Sequence, residues 1–134
     1  VRVFKTKTFT RFARKQSIDD ATLWQAIADA DTGLIDADLG GGVIKQRVAR
    51  AGQGKRSGYR TIVLYRTTER ALFVYGFAKN EQDNIEGADL KDYRQLADEV
   101  LNWKEGQVAK VLATGAWIEI TAPMEKDDDQ EIQK

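Results

Sequence analysis

The chain has no cysteine and no histidine, its 21 basic residues are balanced by 21 acidic ones, and no apolar run approaches the roughly 20 residues a membrane span needs. Without cysteine there are no disulfides and no thiolate metal sites, which mildly favours a reducing compartment. Without histidine the commonest general acid/base and the commonest metal ligand are both missing. Ser-His-Asp, Cys-His and histidine-zinc chemistry are therefore excluded, and any catalysis must rest on Lys, Arg, Tyr and carboxylates. The opening Val1-Arg2-Val3-Phe4-Lys5 carries no signal-peptide apolar core, so the expected location is cytoplasmic, with no membrane partner.

What is present is ordinary in amount and unusual in arrangement. A length of 134 residues, 42% apolar and 31% charged, suits one globular domain with a single core. Within residues 41–80, however, nine basic residues (Lys45, Arg47, Arg50, Lys55, Arg56, Arg60, Arg66, Arg70, Lys79) meet one acid, Glu69. Residues 1–40 balance at six against six, and residues 81–134 hold six basic and fourteen acidic residues. A neutral chain segregated in this way presents a strongly positive surface in one place, and a polyanion is the obvious partner for it.

Periodicity supplies a coarse map. Residues 2–9 alternate and predict a strand, and residues 10–15 predict a helical turn. Ser17-Ile18-Asp19-Asp20 fits a capping box with Ser17 as the cap, opening a helix whose apolar side carries Leu23, Trp24, Ile27, Ala28 and Ala30 and which ends near Thr32-Gly33. Leu39-Gly40-Gly41-Gly42 predicts a turn. Three strands follow, over residues 43–51, 59–67 and 71–78, joined by short connections into an antiparallel meander. The first has Val43, Lys45, Arg47 and Ala49 on one face and Ile44, Gln46, Val48 and Arg50 on the other. Helices are predicted over residues 84–104 and 105–114, then a short strand over 116–120. The expected architecture is α+β, with helices packed on a twisted, mainly antiparallel sheet. Residues 1–121 form the expected domain, and the acidic residues 122–134 an expected disordered tail.

Lys45 and Arg47 stand two apart on one strand and project from the same side of the pleat. Arg60 begins the next strand and Lys79 follows the one after, so the meander can bring all four together, with Arg50, Lys55 and Arg56 on or near the intervening loop. Tyr59, Tyr75 and Phe77 offer faces for base stacking, worth about 1–3 kcal/mol per base in other systems. For any one lysine a solvated surface position is the commoner explanation, but so many like charges on one small sheet repel one another and favour a functional reading of the group. The glycine-rich stretch 52–58 is not a nucleotide fingerprint: a dinucleotide motif needs Gly at 57, and a phosphate loop needs Gly at 49 and Ser or Thr at 56. Trp24, Trp103 and Trp117 read as packing residues, with Trp103 also a candidate partner contact.

At Ser57-Gly58-Tyr59-Arg60, running into Thr61-Ile62-Val63-Leu64-Tyr65, and at Tyr75-Gly76-Phe77-Ala78-Lys79-Asn80-Glu81, the chain resembles the RelE/HigB superfamily of bacterial type II toxins. The wider pattern, from Asp36-Ala37-Asp38-Leu39-Gly40-Gly41-Gly42-Val43-Ile44-Lys45 to Arg60, looks like a HigB-type branch, and the likeness runs over residues 1–120. The resemblance implies a RelE-like fold and an mRNA endoribonuclease acting on the translating ribosome. It also implies inhibition by a cognate antitoxin, usually of helix-turn-helix type in HigB systems, and no metal or cofactor. In such enzymes the substrate's own 2′-hydroxyl attacks the adjacent phosphate and leaves a 2′,3′-cyclic phosphate.

Carried over by position, Lys45 and Arg47 match the family's paired basic residues, Lys45 being the candidate base, and Arg60 matches the phosphate-holding arginine. Lys79 and Asn80 stand where the family has Lys-Arg, so Lys79, Arg50 or Arg56 must substitute for the missing arginine. The family's catalytic tyrosine near the C-terminus has no clear counterpart. The expected catalytic set is Lys45, Arg47, Arg60 and Lys79, and the expected RNA-binding set is Arg50, Lys55, Arg56, Tyr59, Phe77 and Asn80, with no metal ligand in either. Two other functions compete: a ParE-like gyrase inhibitor of the same fold, and a nucleic-acid-binding module without catalysis.

Overall fold

A computed structural model of the chain describes residues 1–49, 58–78 and 87–123. Among these residues a six-stranded sheet runs in the order β2-β3-β4-β5-β1-β6. Its strands are β1 (Arg2–Thr6), β2 (Ala37–Gly40), β3 (Val43–Val48), β4 (Tyr59–Arg66), β5 (Arg70–Ala78) and β6 (Trp117–Ile120). Strands β3, β4 and β5 form the expected antiparallel meander. β1 then enters beside β5 in the parallel sense and is closed off by antiparallel β6. The helices are α1 (Lys7–Lys15), α2 (Asp20–Asp31), α3 (Gly87–Val100) and α4 (Glu105–Ala113). The α+β class and mostly antiparallel sheet are as expected from the sequence.

The sheet is buried on both faces, and side-chain alternation sorts its residues between two apolar clusters. Val3, Ile44, Val48, Tyr59, Val63 and Phe73 pack with Phe9 and Ala13 of α1 and with Leu23, Ala26 and Ile27 of α2. Their neighbours Phe4, Val43, Ile62, Leu64 and Leu72 point the other way, to Ala97 and Val100 of α3, Leu101 in the turn after it and Val108 of α4. Trp117 belongs to this second cluster, stacked on Trp103 with centroids 5.3 Å apart and tilted against Phe4 at 5.2 Å. A strand covered on both sides reads as a continuous apolar run, which is the pattern of Ile62-Val63-Leu64-Tyr65.

Several boundaries differ from expectation for identifiable reasons. The first strand stops at Thr6, whose hydroxyl accepts the N–H of Phe9 at 3.1 Å and caps α1, so the helix is three residues longer at its start than the apolar spacing suggested. The cap of α2 is Asp19, which accepts both the N–H and the hydroxyl of Thr22 at 2.9 and 2.6 Å. Those bonds hold the Asp19 carboxyl below its ordinary range. Ser17, the expected cap, instead takes a left-handed turn at φ 58°. α2 does end before Gly33 as expected.

β2 lies where only a turn was expected after residue 38. Asp38-Leu39-Gly40 has no apolar alternation to betray it, and it is a strand because it pairs with β3 through a tight hairpin. Gly42 sits there at φ 85°, with Leu101 so close that an added Cβ would meet its Cδ1 at 3.0 Å. On α3, Leu96 is 39% exposed, whereas Ala97 and Val100 are buried. The expected tail and the predicted helical start at residues 84–86 lie largely outside the described residues.

Candidate functional site

Antiparallel pairing of β3 with β4 sets Arg47 directly opposite Arg60, and Lys45 opposite Ile62. Arg60 in turn faces Phe77 on β5, and Ile62 faces Tyr75. Residues paired across strands share a face. Lys45, Arg47 and Arg60 therefore gather with Tyr75 and Phe77 on the α3 side of the sheet, the side of Val43, Ile62 and Leu64.

Arg60 is 8% exposed, an extreme position for a guanidinium. Its Nε lies 3.5 Å from one carboxylate oxygen of Asp36, whose other oxygen accepts a 2.8 Å bond from Nε of Arg47. Nη1 of Arg60 is buried and has no hydrogen-bond partner among the described residues. Leaving such a donor unsatisfied costs about 1–3 kcal/mol or more for a charged group, so it points to a missing acceptor. Arg47 is less enclosed and borders two open clefts, one beside Thr22, Gln25 and Val48, the other beside Leu34, Ile35 and Gln46. An anion placed over this face would meet two fork-shaped donors and one ammonium, a set suited to the non-bridging oxygens of a phosphodiester.

Asp36 was not among the expected site residues. It comes from the segment leading into β2, ten positions before Gln46, and only the folded hairpin carries it to the two arginines. Gln46 secures it: its side-chain oxygen accepts the N–H of Asp36 at 3.0 Å, and its amide donates to the carbonyls of Ala26 and Leu34, both at 2.8 Å.

The aromatic residues are sorted differently from expectation. Tyr59 lies on the opposite face, 4% exposed, with its hydroxyl donating to Gln16 at 2.7 Å and Phe12 packed edge-on against its ring. It cannot stack on a base, because β4 alternates and Tyr59 points away from its neighbour Arg60. Phe77 shares the face of Arg60 but is buried in the α3 cluster at 3% exposed, so its expected stacking role is not supported either. Half-buried Tyr75, 5.8 Å from Phe77, is the more accessible ring on this face. Between them, Gly76 turns to the other side and leaves room for Phe12, whose Cε2 would stand 2.3 Å from an added Cβ. Arg50, Lys55, Arg56, Lys79 and Asn80 lie outside the described residues.

The basic segment does not all converge. Arg66 and Arg70 face each other at the far end of β4 and β5, about 20 Å along the strand from Arg60. There they serve the end of α3: Arg66 donates to the carbonyl of Leu101 and to Asn102, and Arg70 to the carbonyls of Val100 and Trp103 at 2.7 and 3.0 Å. Cations at a helix C-terminus satisfy orphan carbonyls and oppose the helix dipole. Two of the nine basic residues are thus structural.

The strand order, with parallel β1 inserted between the meander and β6, and the cationic cluster on β3 and β4 lie within a region that matches one family model. That model, the RelE toxin of the RelE/RelB toxin-antitoxin system, covers residues 1–120. The chain belongs to the RelE toxin family. Membership makes a RelB-type antitoxin the partner that goes with the system. No curated protein matches the chain closely enough to narrow its place within RelE toxins. Among the described residues of this RelE toxin, no helix is long and apolar enough to cross a membrane.

Proposed function

We propose that this RelE toxin is a ribosome-dependent mRNA endoribonuclease that inhibits translation, of the HigB branch, acting in the cytoplasm and held in check by an antitoxin of helix-turn-helix type. The observation that carries the catalytic reading is Arg60: a nearly buried guanidinium, opposite Arg47, with an unpartnered Nη1 among the described residues. Arg47 and Arg60 hold the phosphate as it gains charge in the transition state. Lys45, on the same face, is the candidate base that takes the proton from the substrate's 2′-hydroxyl. The hydroxyl oxygen then bonds to phosphorus and the bond to the 5′-oxygen breaks, leaving a 2′,3′-cyclic phosphate. The departing oxygen must receive a proton, and Lys79 is the remaining member of the proposed catalytic set. Arg50, Lys55, Arg56 and Asn80 would add contacts along the RNA backbone.

Inducing expression and mapping mRNA 5′ ends, with and without the antitoxin, tests this reading. Arg60→Ala should fold and cleave about 10²–10³-fold more slowly, the scale for losing one transition-state donor. Undiminished toxicity of Arg60→Ala at equal expression would show the nuclease assignment to be wrong. Growth arrest with gyrase poisoned and mRNA intact would identify a ParE-like inhibitor, and no arrest at all a plain binding module. Binding to RNA or ribosomes should weaken steeply with salt, since several phosphates are neutralised together.

A further inference from the structure

The acid in the middle of a cationic site needs a reason. Asp36 stands where a polyanion is to bind, and its charge by itself opposes that binding. Its position is nonetheless built with care. The carboxylate is 13% exposed, and its backbone N–H is tied to Gln46, itself 3% exposed and bonded to both α2 and the segment before β2. β2 pairs with β3 no further than Ala37 opposite Lys45, so at Arg47 the outer side of β3 is left to Asp36.

The atoms engaged are informative. Among the described residues the Asp36 carboxylate meets Nε of both arginines, through a 2.8 Å hydrogen bond from Arg47 and a 3.5 Å ion pair with Arg60. A guanidinium gripped at Nε has its rotation about the final bond restricted while its Nη nitrogens remain able to donate elsewhere. Arg60 Nη1 is indeed without a partner among the described residues. One carboxylate between two opposed arginines also relieves the repulsion that would otherwise splay them apart.

We propose that Asp36 is a positioning residue: it holds Arg47 and Arg60 by their Nε atoms, so that the Nη edges of both are presented together to one phosphodiester. This rests on the phosphodiester reading of the site given above. Asp36 does not touch the substrate and remains bonded to the arginines when RNA is bound.

Asp36→Asn separates this role from simple electrostatics, because the two predict opposite signs. Removal of a negative charge should, on charge alone, tighten RNA binding and leave cleavage unchanged or faster. Loss of positioning should slow single-turnover cleavage about tenfold or more, since small misplacements of transition-state donors carry large rate effects. It should also weaken binding of a short RNA made uncleavable by 2′-deoxy substitution. In an Arg47→Lys background, which lacks the Nε anchor, Asp36→Asn should have a smaller effect than in the native chain. A purely structural role would act equally in both backgrounds. Should Asp36→Asn fold poorly, the native protein still decides: on adding the uncleavable RNA, the Nε–H resonance of Arg47 should keep its hydrogen-bonded shift while the Nη signals of Arg47 and Arg60 move.

The outcomes are distinct. Faster cleavage or tighter binding by Asp36→Asn, or release of the Arg47 Nε–H bond on RNA addition, overturns the positioning role and leaves the nuclease reading standing. A native protein that binds the uncleavable RNA but never cleaves the ribonucleotide version overturns the nuclease reading. In that case weaker binding by Asp36→Asn still supports the clamp. A native protein that neither binds nor cleaves overturns both.

Discussion

Replacing Arg60 with methionine should leave the protein as stable as before or more so, and nearly abolish its activity. The side chain is 10% exposed and its recorded ion pair, to Asp36, is at 3.5 Å. At an effective dielectric of about 20 that attraction is on the order of 5 kcal/mol. Against it stand a desolvation penalty of several kcal/mol for the guanidinium and about 1–3 kcal/mol for unsatisfied Nη1. The terms come close to cancelling. Methionine keeps the length and flexibility of the arginine stem and can join Ile62 and Phe77 in the α3 cluster. Asp36 is not orphaned, because Arg47 still donates to it at 2.8 Å. The expected change in unfolding free energy is therefore between zero and a gain of about 2 kcal/mol, which raises the melting temperature by several degrees at most. Cleavage of ribosome-bound mRNA should fall by about 10²–10³-fold in the same preparation. Urea denaturation read by tryptophan fluorescence and a primer-extension cleavage assay measure the two quantities. A loss of more than about 2 kcal/mol would refute the reasoning, since Arg60 would then be a pillar of the fold rather than a charge held for a ligand.

Other expectations concern the scaffold. Gly76→Ala sets a methyl 2.3 Å from Phe12 Cε2, and because Phe12 is packed between Phe9 and Tyr59 it cannot swing clear; the urea midpoint should fall by the equivalent of about 1–3 kcal/mol, and an unchanged midpoint would show that α1 yields freely. Arg70→Met strips the donors from the Val100 and Trp103 carbonyls and should cost about 1–3 kcal/mol, with per-molecule cleavage unaltered; a selective loss of cleavage would place Arg70 in the site. Burial first, and the bond to Asp31 second, push the Tyr65 phenol up to about 12. Because the folded value lies above the unfolded one, its stabilisation is complete below about pH 10 and is lost as pH rises toward 12, an effect of roughly 2–3 kcal/mol. Tyr65→Phe should flatten that part of the stability profile, and an equally steep alkaline loss would assign it to other groups.

Where local chemistry decides the backbone, residue types alone were enough. Gly33 after α2, the apolar centre of β4 and the short link from β4 to β5 each act over a few neighbouring residues, and each is found where its pattern points. Less legible were features in which two local signals compete. Thr6 suits a strand by its β-branch and a helix cap by its hydroxyl, and it serves as both, ending β1 opposite Trp117 while its hydroxyl caps α1. Ser17 and Asp19 are both capable caps, and Asp19 is the one placed to reach Thr22. Faces were harder than elements: Tyr59 and Arg60 are adjacent, and assigning both to one site overlooked the strict alternation that sends the tyrosine into the α1 side of the core.

The amino-acid sequence by itself determined the α+β architecture, the segregation of positive charge and the absence of histidine chemistry, because these follow from composition and short-range periodicity. Only the tertiary structure decided which cations meet. Antiparallel register places Arg47 against Arg60 and carries Arg66 and Arg70 to the other end of the same strands. The hairpin before β3 brings in Asp36, whose charge in the linear chain is lost among five other acids of the first forty residues. Coulomb interactions and hydrogen bonds act over a few ångströms of space, and the chain's path through the sheet determines which residues stand that close.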